Sequence, residues 1–298
     1  MKLIAIDMDG TLLNENLVIS KKTVKAIKRV QRKGHIVIIA TGRAYLDALK
    51  IIQESGLRCP ILSVNGAILY NEDGERIFDC TMNCSTVEQI ISLLQEEDLY
   101  CEIYTNVATY RLNGGKDKLL IELDRLKKSV LQINEDHLWN IAQKQFLQAG
   151  VVNIDNFSSV FVNKDHRYYK ILAFSFDQNK LSKVKSKLKA LNGIAISGSS
   201  DYNIEVTNEL AQKGASLIKA AEYYQIPMSE TVAIGDSYND VSMFRVAGVS
   251  IAMGNAEEII KSQCMFTTKS NDEDGVAYAL DSFLDFKEGE KRCNFNNV

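Results

Sequence analysis

Leu3-Ile4-Ala5-Ile6-Asp7-Met8-Asp9-Gly10-Thr11-Leu12-Leu13 is the stretch whose reading decides the fold. Four apolar residues run without polar alternation, as in a strand buried on both faces of a parallel sheet. Asp7 and Asp9 follow with one residue between them. Period-two geometry turns both side chains the same way if the strand continues through them. Gly10 lets the backbone turn sharply, and Thr11 adds a hydroxyl able to orient a carboxylate. Two acids at the carboxyl end of a buried strand repel unless positive charge lies between them, and a divalent cation meets that need. In open α/β sheets, ligands bind at this end of the strands. Taken alone, D-x-D-G is also an ordinary acidic turn, so the rest of the chain must supply partners.

The chain has 298 residues, with 46% apolar and 24% charged side chains, the balance of a globular protein of one large or two ordinary domains. A net charge of −3 gives no electrostatic case for nucleic acid or an anionic membrane as partner. One Lys and four apolar residues precede Asp7, too little for a signal-peptide core. No apolar run approaches the ~20 residues that span a bilayer. A cytoplasmic protein is expected. Cys59, Cys80, Cys84, Cys101, Cys264 and Cys293 form no C-x-x-C pair, and His35, His137 and His166 are scattered, so no zinc site is indicated. Reduced, mostly structural thiols are expected.

After Leu13, Ser20 is placed to cap a helix bearing Val24, Ile27 and Val30, which Lys33-Gly34 ends. The apolar strand 35–40 then runs into Thr41-Gly42-Arg43. Parallel strands share an orientation, so Thr41 falls at the same sheet edge as Asp7. There a hydroxyl and backbone N–H groups suit a phosphate oxygen, although Thr41 is equally a simple helix cap. A helix over 46–55 and a short strand at 60–64 follow, then Asn65-Gly66, a possible hairpin turn, and a β-hairpin around 71–74. Near residue 82 the pattern changes. Ser85-Thr86-Val87-Glu88 has the form of a capping box. Beyond it are expected strands at 99–104, 107–112, 159–162 and 169–176, helices over 116–131, 137–147 and 181–191, and a hairpin of 194–197 with 203–207. The lysines 180, 183, 185, 187 and 189 read as a solvated helix face. Helices alternating with partly polar strands describe an α+β module whose antiparallel sheet is exposed on one face. It is expected to span 83–207, inserted into a first domain of 1–82 and 208–298. That domain resumes with Lys213-Gly214 opening a helix. The strand 231–234 follows, running into Gly235-Asp236-Ser237-Tyr238-Asn239-Asp240, and a further strand covers 249–253. The acidic run 272–275 reads as a solvated loop rather than site rim. The last helix runs to about 286, and the tail from 287 is expected to fray.

Asp7/Asp9, Thr41, Lys213 and Asp236/Asp240 thus stand at strand ends or a helix start. A phosphoryl-transfer site asks for such a set: a nucleophile, a proton donor, a divalent cation and positive groups for the phosphate oxygens. In this order the motifs resemble those of the haloacid dehalogenase superfamily. Asp7-Met8-Asp9-Gly10-Thr11-Leu12 resembles its first motif, Thr41 its second, Lys213-Gly214 its third and Gly235 through Asp240 its fourth. With Ser63-Val64-Asn65-Gly66-Ala67, Ala252-Met253-Gly254-Asn255-Ala256 and Asp272-Glu273-Asp274-Gly275-Val276-Ala277, the chain is similar to the Cof-type phosphatases.

The resemblance implies a Rossmann-like α/β core with an inserted α+β cap. It implies a Mg²⁺-dependent phosphatase for a small phosphorylated metabolite, a sugar phosphate or similar phosphomonoester. Asp7 would be the nucleophile, forming an aspartyl-phosphate, and Asp9 the acid and then the base, oriented by Thr11. Asp7, the Asp9 carbonyl and Asp236 would hold magnesium, with Asp240 supporting the metal shell or Lys213. Thr41, Gly42 and Lys213 would hold phosphate oxygens, and Asn65 and Asn239 the site rim. A phosphomutase and a non-catalytic phospho-ligand-binding regulator are the other readings. The first would retain phosphate on an isomerised sugar; the second has no need of Asp9. Substrate specificity is expected in the cap, with the turn 199–203 a candidate, and the protein as monomer or homodimer.

Overall fold

The computed structural model describes residues 1–129, 138–139, 149–198 and 201–282. The strands, in chain order, are β1 (Leu3–Asp7), β2 (Ile36–Ala40), β3 (Ile61–Ser63), β4 (Ile68–Tyr70) and β5 (Arg76–Asp79). Then come β6 (Tyr100–Thr105), β7 (Thr109–Leu112), β8 (Val151–Ile154), β9 (Tyr168–Phe174), β10 (Ile194–Ser197) and β11 (Asn203–Asn208). The series closes with β12 (Thr231–Gly235), β13 (Val249–Ala252) and β14 (Phe266–Thr267). The chain divides into two compact units, Met1–Asp79 with Gln212–Val298, and Cys80–Ala211. The boundaries expected at 82/83 and 207/208 both fall inside the second of these.

The first unit is built on one sheet of order β14-β13-β12-β1-β2-β3-β4-β5. Its strands from β14 to β3 are parallel; β4 turns back, pairing antiparallel with both β3 and β5. β1 is central because every one of its residues is apolar or, at Asp7, buried, and both faces are covered. Ile4 and Ile6 pack with Ile27, Ala48 and Leu280 on one side, and Leu3 and Ala5 with Leu217, Ala220 and Phe244 on the other. The chain builds outward from β1 in one direction through β2 and β3, then returns to add β12 on the opposite side. This reversal of strand order beside β1 is where open α/β sheets form a crevice. Gly214 shows how closely the layers pack: a Cβ there would lie 2.1 Å from the Ser242 carbonyl oxygen.

The second unit holds a sheet of order β10-β11-β9-β6-β7-β8, antiparallel except where β8 joins β7. Cys101, Ile103, Ile171, Ala173, Ile204 and Val206 bury one face under helices Cys84–Glu96 and Gln178–Leu188. The opposite face was expected to be exposed. Instead it carries Glu102, Lys170 and Glu205, all buried. Tyr100 and Tyr104 donate to Glu102, the latter over 2.9 Å, and Lys170 meets Glu205 at 2.9 Å. Buried charges persist when each has a partner, and alternation alone cannot distinguish such a face from a solvated one.

Local expectations met several other corrections. The helix after residue 82 begins at Cys84 with Asn83 at its N-cap position, making no side-chain capping bond, so Ser85 lies inside its first turn and no capping box forms. The strand expected at 159–162 is the short helix Ser158–Phe161, and the strand lies earlier, at β8. A four-residue apolar run does not choose between helix and strand. The run 272–275, expected as a solvated loop, is instead a 3-10 turn (Asn271–Glu273) leading through Asp274 into the helix Gly275–Ser282, and it is tied to the N-terminal segment: Asp272 accepts from the Glu15 N–H at 2.8 Å, and Asp274 pairs with Ser20 and Lys22. Most of the helix expected at 137–147, residues 199–200 of the candidate specificity turn, and the tail lie outside the described residues. The described cysteines (59, 80, 84, 101 and 264) form no disulfide with one another. Among the described residues no helix is long and apolar enough to cross a membrane.

Gly214→Ala should force the helix Lys213–Tyr223 off the Val241–Phe244 turn. The expected cost is about 1–3 kcal/mol of unfolding free energy, read from denaturant unfolding; an unshifted midpoint would contradict the close contact.

Candidate active site

Sheet register assembles the site. Asp7 pairs across from Ala40, so Thr41 emerges one step beyond it; Ile6 pairs with Ile234, so Asp236 emerges on the other side. Asp7 is 4% exposed. Lys213, the first residue of its helix, is 1% exposed and reaches both carboxylates that need it. Its Nζ donates to Asp7 Oδ1 at 2.5 Å and to Asp240 Oδ1 at 2.7 Å. Asp240 spends its other oxygen, Oδ2, on the backbone N–H groups of Asp236 and Ser237, both at 3.0 Å. A Cβ at Gly235 would sit 2.4 Å from that same oxygen, so the strand end has no room for a side chain.

The turn after β1 departs from the expected continuation of the strand. The strand ends at Asp7, Met8 is fully buried, and Gly10 adopts φ +75°. With the strand ended, the period-two argument no longer governs Asp9. Its carboxylate faces Arg43, which donates from Nε to Oδ2 at 2.8 Å and from Nη2 to Oδ1 at 2.6 Å. Thr11 does not orient Asp9, as the resemblance had implied. Its hydroxyl donates to Asp236 Oδ1 at 2.6 Å, because the tight turn at Gly10 carries Thr11 back toward β12. A Cβ on Gly10 would lie 2.5 Å from Asp236 Oδ2, so this turn and Asp236 fit only with glycine between them.

Thr41 is fully buried, and its hydroxyl accepts from the Arg43 backbone N–H at 3.1 Å. The Asn65-Gly66 segment is the turn between β3 and β4, with Val64, Asn65 and Gly66 all at positive φ. This conformation puts the Asn65 amide beside Gly42, where a Cβ would be 2.9 Å from Asn65 Oδ1. Asn239 Nδ2 donates to that oxygen at 3.2 Å. Asn255 has no role in the sequence reading beyond its motif, yet it binds the Gly10 carbonyl at 2.8 Å and the Asn271 N–H at 3.0 Å. Arg43 and Asp47 were likewise given no role. The one sequence signal for Arg43 was its place directly after Thr41-Gly42.

The charge balance defines what the site can hold. Carboxylate oxygens of Asp7, Asp236 and Asp240 lie within 4.8 Å of one another, and the Asp9 carboxylate is outside this group. Burial raises the Asp7 pKa well above the usual carboxylate range, and the charge of Asp240 adds to this against the pull of Lys213. Asp236 is pushed up to about 6, by burial first, with the Thr11 hydrogen bond opposing and Asp240 adding. Burial works against the Lys213 charge, but Asp240 and Asp7 outweigh it and hold its pKa above the usual range. One ammonium does not neutralise three acids. Two carboxylates with raised proton affinity and hard oxygen donors fit a small divalent cation such as Mg²⁺. Asp240 is already committed through both oxygens, so Asp7 and Asp236 are the carboxylates able to meet the ion.

The sequence model for haloacid dehalogenase-like hydrolases matches residues 4–280. The chain is 40% identical over 284 residues to 5-amino-6-(5-phospho-D-ribitylamino)uracil phosphatase YwtE of Bacillus subtilis (strain 168), covering 95% of this chain and 98% of that protein. It is 36% identical over 285 residues to Phosphatase YwpJ of the same organism, covering 95% of this chain and 100% of that protein. Among solved structures, a haloacid dehalogenase-like hydrolase from B. subtilis superposes with a TM-score of 0.83 at 36% identity, covering 95% of this chain and 100% of the other.

The raised Asp236 value has a stability consequence whose sign is fixed. A carboxyl with a folded pKa above its ordinary 3.8 binds its proton more tightly in the folded state. Its contribution is therefore full below about pH 4 and lost as pH rises through about 6. With chelator present, the wild type should lose stability relative to Asp236→Asn across that interval. Parallel melting-temperature profiles of the two proteins would contradict it.

Proposed function

This chain belongs to the haloacid dehalogenase-like hydrolase family and is a phosphatase-type hydrolase, and from that premise we propose a Mg²⁺-dependent phosphomonoesterase working through an aspartyl-phosphate on Asp7. The observation that carries the proposal is the buried Asp7 held at 2.5 Å by Lys213 beside Asp236, with Asp9 two residues further on. Magnesium, when bound by Asp7 and Asp236, supplies positive charge against the phosphoryl oxygens.

The chain's own groups supply the rest. A carboxylate oxygen of Asp7 attacks phosphorus while the bond to the leaving oxygen breaks, and Asp9 gives that oxygen its proton. Asp9, now a carboxylate, takes a proton from water. The resulting hydroxide attacks the phosphorus of the aspartyl-phosphate, which releases inorganic phosphate and restores Asp7. Lys213 favours the ionised form of Asp7 against the burial that opposes it, and with the Thr41 hydroxyl and the Gly42 N–H it meets the phosphate oxygens. Asp240 holds Lys213 in place, Thr11 holds Asp236, and Asn65 and Asn239 line the rim.

We assign the substrate to small phosphomonoesters of a sugar or polyol. The 40% identity to a phosphatase named for a phosphoribityl compound supports this class, and makes 5-amino-6-(5-phospho-D-ribitylamino)uracil the first compound to test. A cytoplasmic location suits such a substrate.

Phosphate release from that compound and from a panel of sugar and polyol phosphates should require Mg²⁺ and stop with chelator. Asp7→Asn should lower it by roughly 10³-fold or more. Turnover that survives either treatment would overturn the nucleophile or the metal assignment respectively.

A further inference from the structure

Arg43 is placed between two acids. Its fork grips both oxygens of Asp9, and its Nη1 donates to Asp47 Oδ2 at 2.8 Å. Asp47 is 7% exposed, so the guanidinium is anchored from the buried side and presents its outer edge to Asp9. The Arg43 backbone is fixed as well: its N–H is on the Thr41 hydroxyl and its carbonyl accepts from the Val64 N–H at 3.0 Å.

Stability does not account for this arrangement. The Asp9 side chain is 51% exposed, and an ion pair this wet adds only about 0–1 kcal/mol. Nor does the backbone of the turn depend on the fork. Asn255 holds the Gly10 carbonyl, the Leu13 N–H closes onto the Met8 carbonyl at 2.9 Å, and Gly10 is wedged against Asp236. What the fork removes is the rotational freedom of one carboxylate. A planar guanidinium fixes the carboxylate plane, which a point charge cannot do. Each carboxylate oxygen keeps a second lone-pair direction, so a held Asp9 still has a site for the proton it must pass.

We infer that Arg43, anchored by Asp47, is a positioning residue that aims the Asp9 carboxylate at the leaving oxygen. The inference rests on the reading of Asp9 as the proton donor given above. It assigns a job to the arginine that follows Thr41-Gly42: it ties the loop that meets phosphate to the group that protonates the leaving oxygen.

The test compares an alkyl phosphate, ribitol 5-phosphate, with p-nitrophenyl phosphate, whose leaving group departs without a proton. kcat/KM reports the steps up to departure of the leaving group. Arg43→Lys keeps the charge and loses the fork. It should lower kcat/KM for ribitol 5-phosphate by ~10–100-fold, the scale of a misplaced catalytic group, and for p-nitrophenyl phosphate by less than about 3-fold. Asp47→Asn should give the same split at smaller amplitude. Equal losses on both substrates would make Arg43 a structural or phosphate-binding residue, and no loss on either would remove its role; both overturn the inference. Asp9→Asn run alongside separates the two readings. If it shows the split and Arg43→Lys does not, only the positioning inference fails. If Asp9→Asn leaves ribitol 5-phosphate turnover intact, the proton-donor reading itself fails.

Discussion

The ammonium of Lys213, buried between Asp7 and Asp240, is the constraint on which the rest of the core depends. A buried charge is tolerated only with partners, and removing one partner leaves the other uncompensated at a cost of about 3–5 kcal/mol. Here the three groups come from three separated parts of the chain: the end of β1, the start of a helix, and the turn after β12. The ion pairs therefore fix the height of the helix Lys213–Tyr223 against the sheet, and Gly214 and Gly235 mark where that fit leaves no space for a Cβ. The same constraint leaves one ammonium among three acids, and the proton affinities of Asp7 and Asp236 are raised by burial first, with the charge of Asp240 adding to it.

Around this centre, the charged side chains of the site are held by neighbouring groups. Asp240 orients Lys213 and is in turn held by two backbone N–H groups. Thr11 orients Asp236, and Asn255 steadies the Gly10 carbonyl. The Val64-Asn65-Gly66 turn keeps three residues at positive φ, which for a β-branched valine is a strained conformation. The structure accepts that strain and in return places the Asn65 amide against Gly42 and Asn239. Supporting interactions of this kind limit the motion of the groups proposed to meet phosphate, and orientation accounts for a large part of the rate in phosphoryl transfer.

Several of these features could be read in advance and several could not. Strands buried on both faces announce themselves as unbroken apolar runs, so β1, β2 and β12 were visible, and the carboxylates at their ends marked the sheet edge that matters. Strand direction alone put Thr41 beside Asp7. The direction of the Asp9 side chain was not visible, because the two-residue period holds only where a strand continues, and β1 ends at Asp7. The partner of Thr11 was lost for the same reason. The buried charged face of the second sheet, with Glu102, Lys170 and Glu205, looked like a solvated one, since its alternation is the same and only its pairings differ. The helix Ser158–Phe161 was read as a strand and β8 was not read at all, because runs of four residues carry too little periodicity to decide.

The amino-acid sequence by itself determined the α/β class, the two-part organisation and the identity of the groups at the strand ends, because burial patterns and acid spacing are local properties written along the chain. Tertiary structure alone decided which group each of them faces. Thr11 meets Asp236, Arg43 meets Asp9, and Asp240 is spent on Lys213. All three contacts join residues far apart in sequence, 225, 34 and 27 positions respectively, and all three lie within about 3 Å in space, a scale set by register, turn geometry and charge compensation rather than by any periodicity.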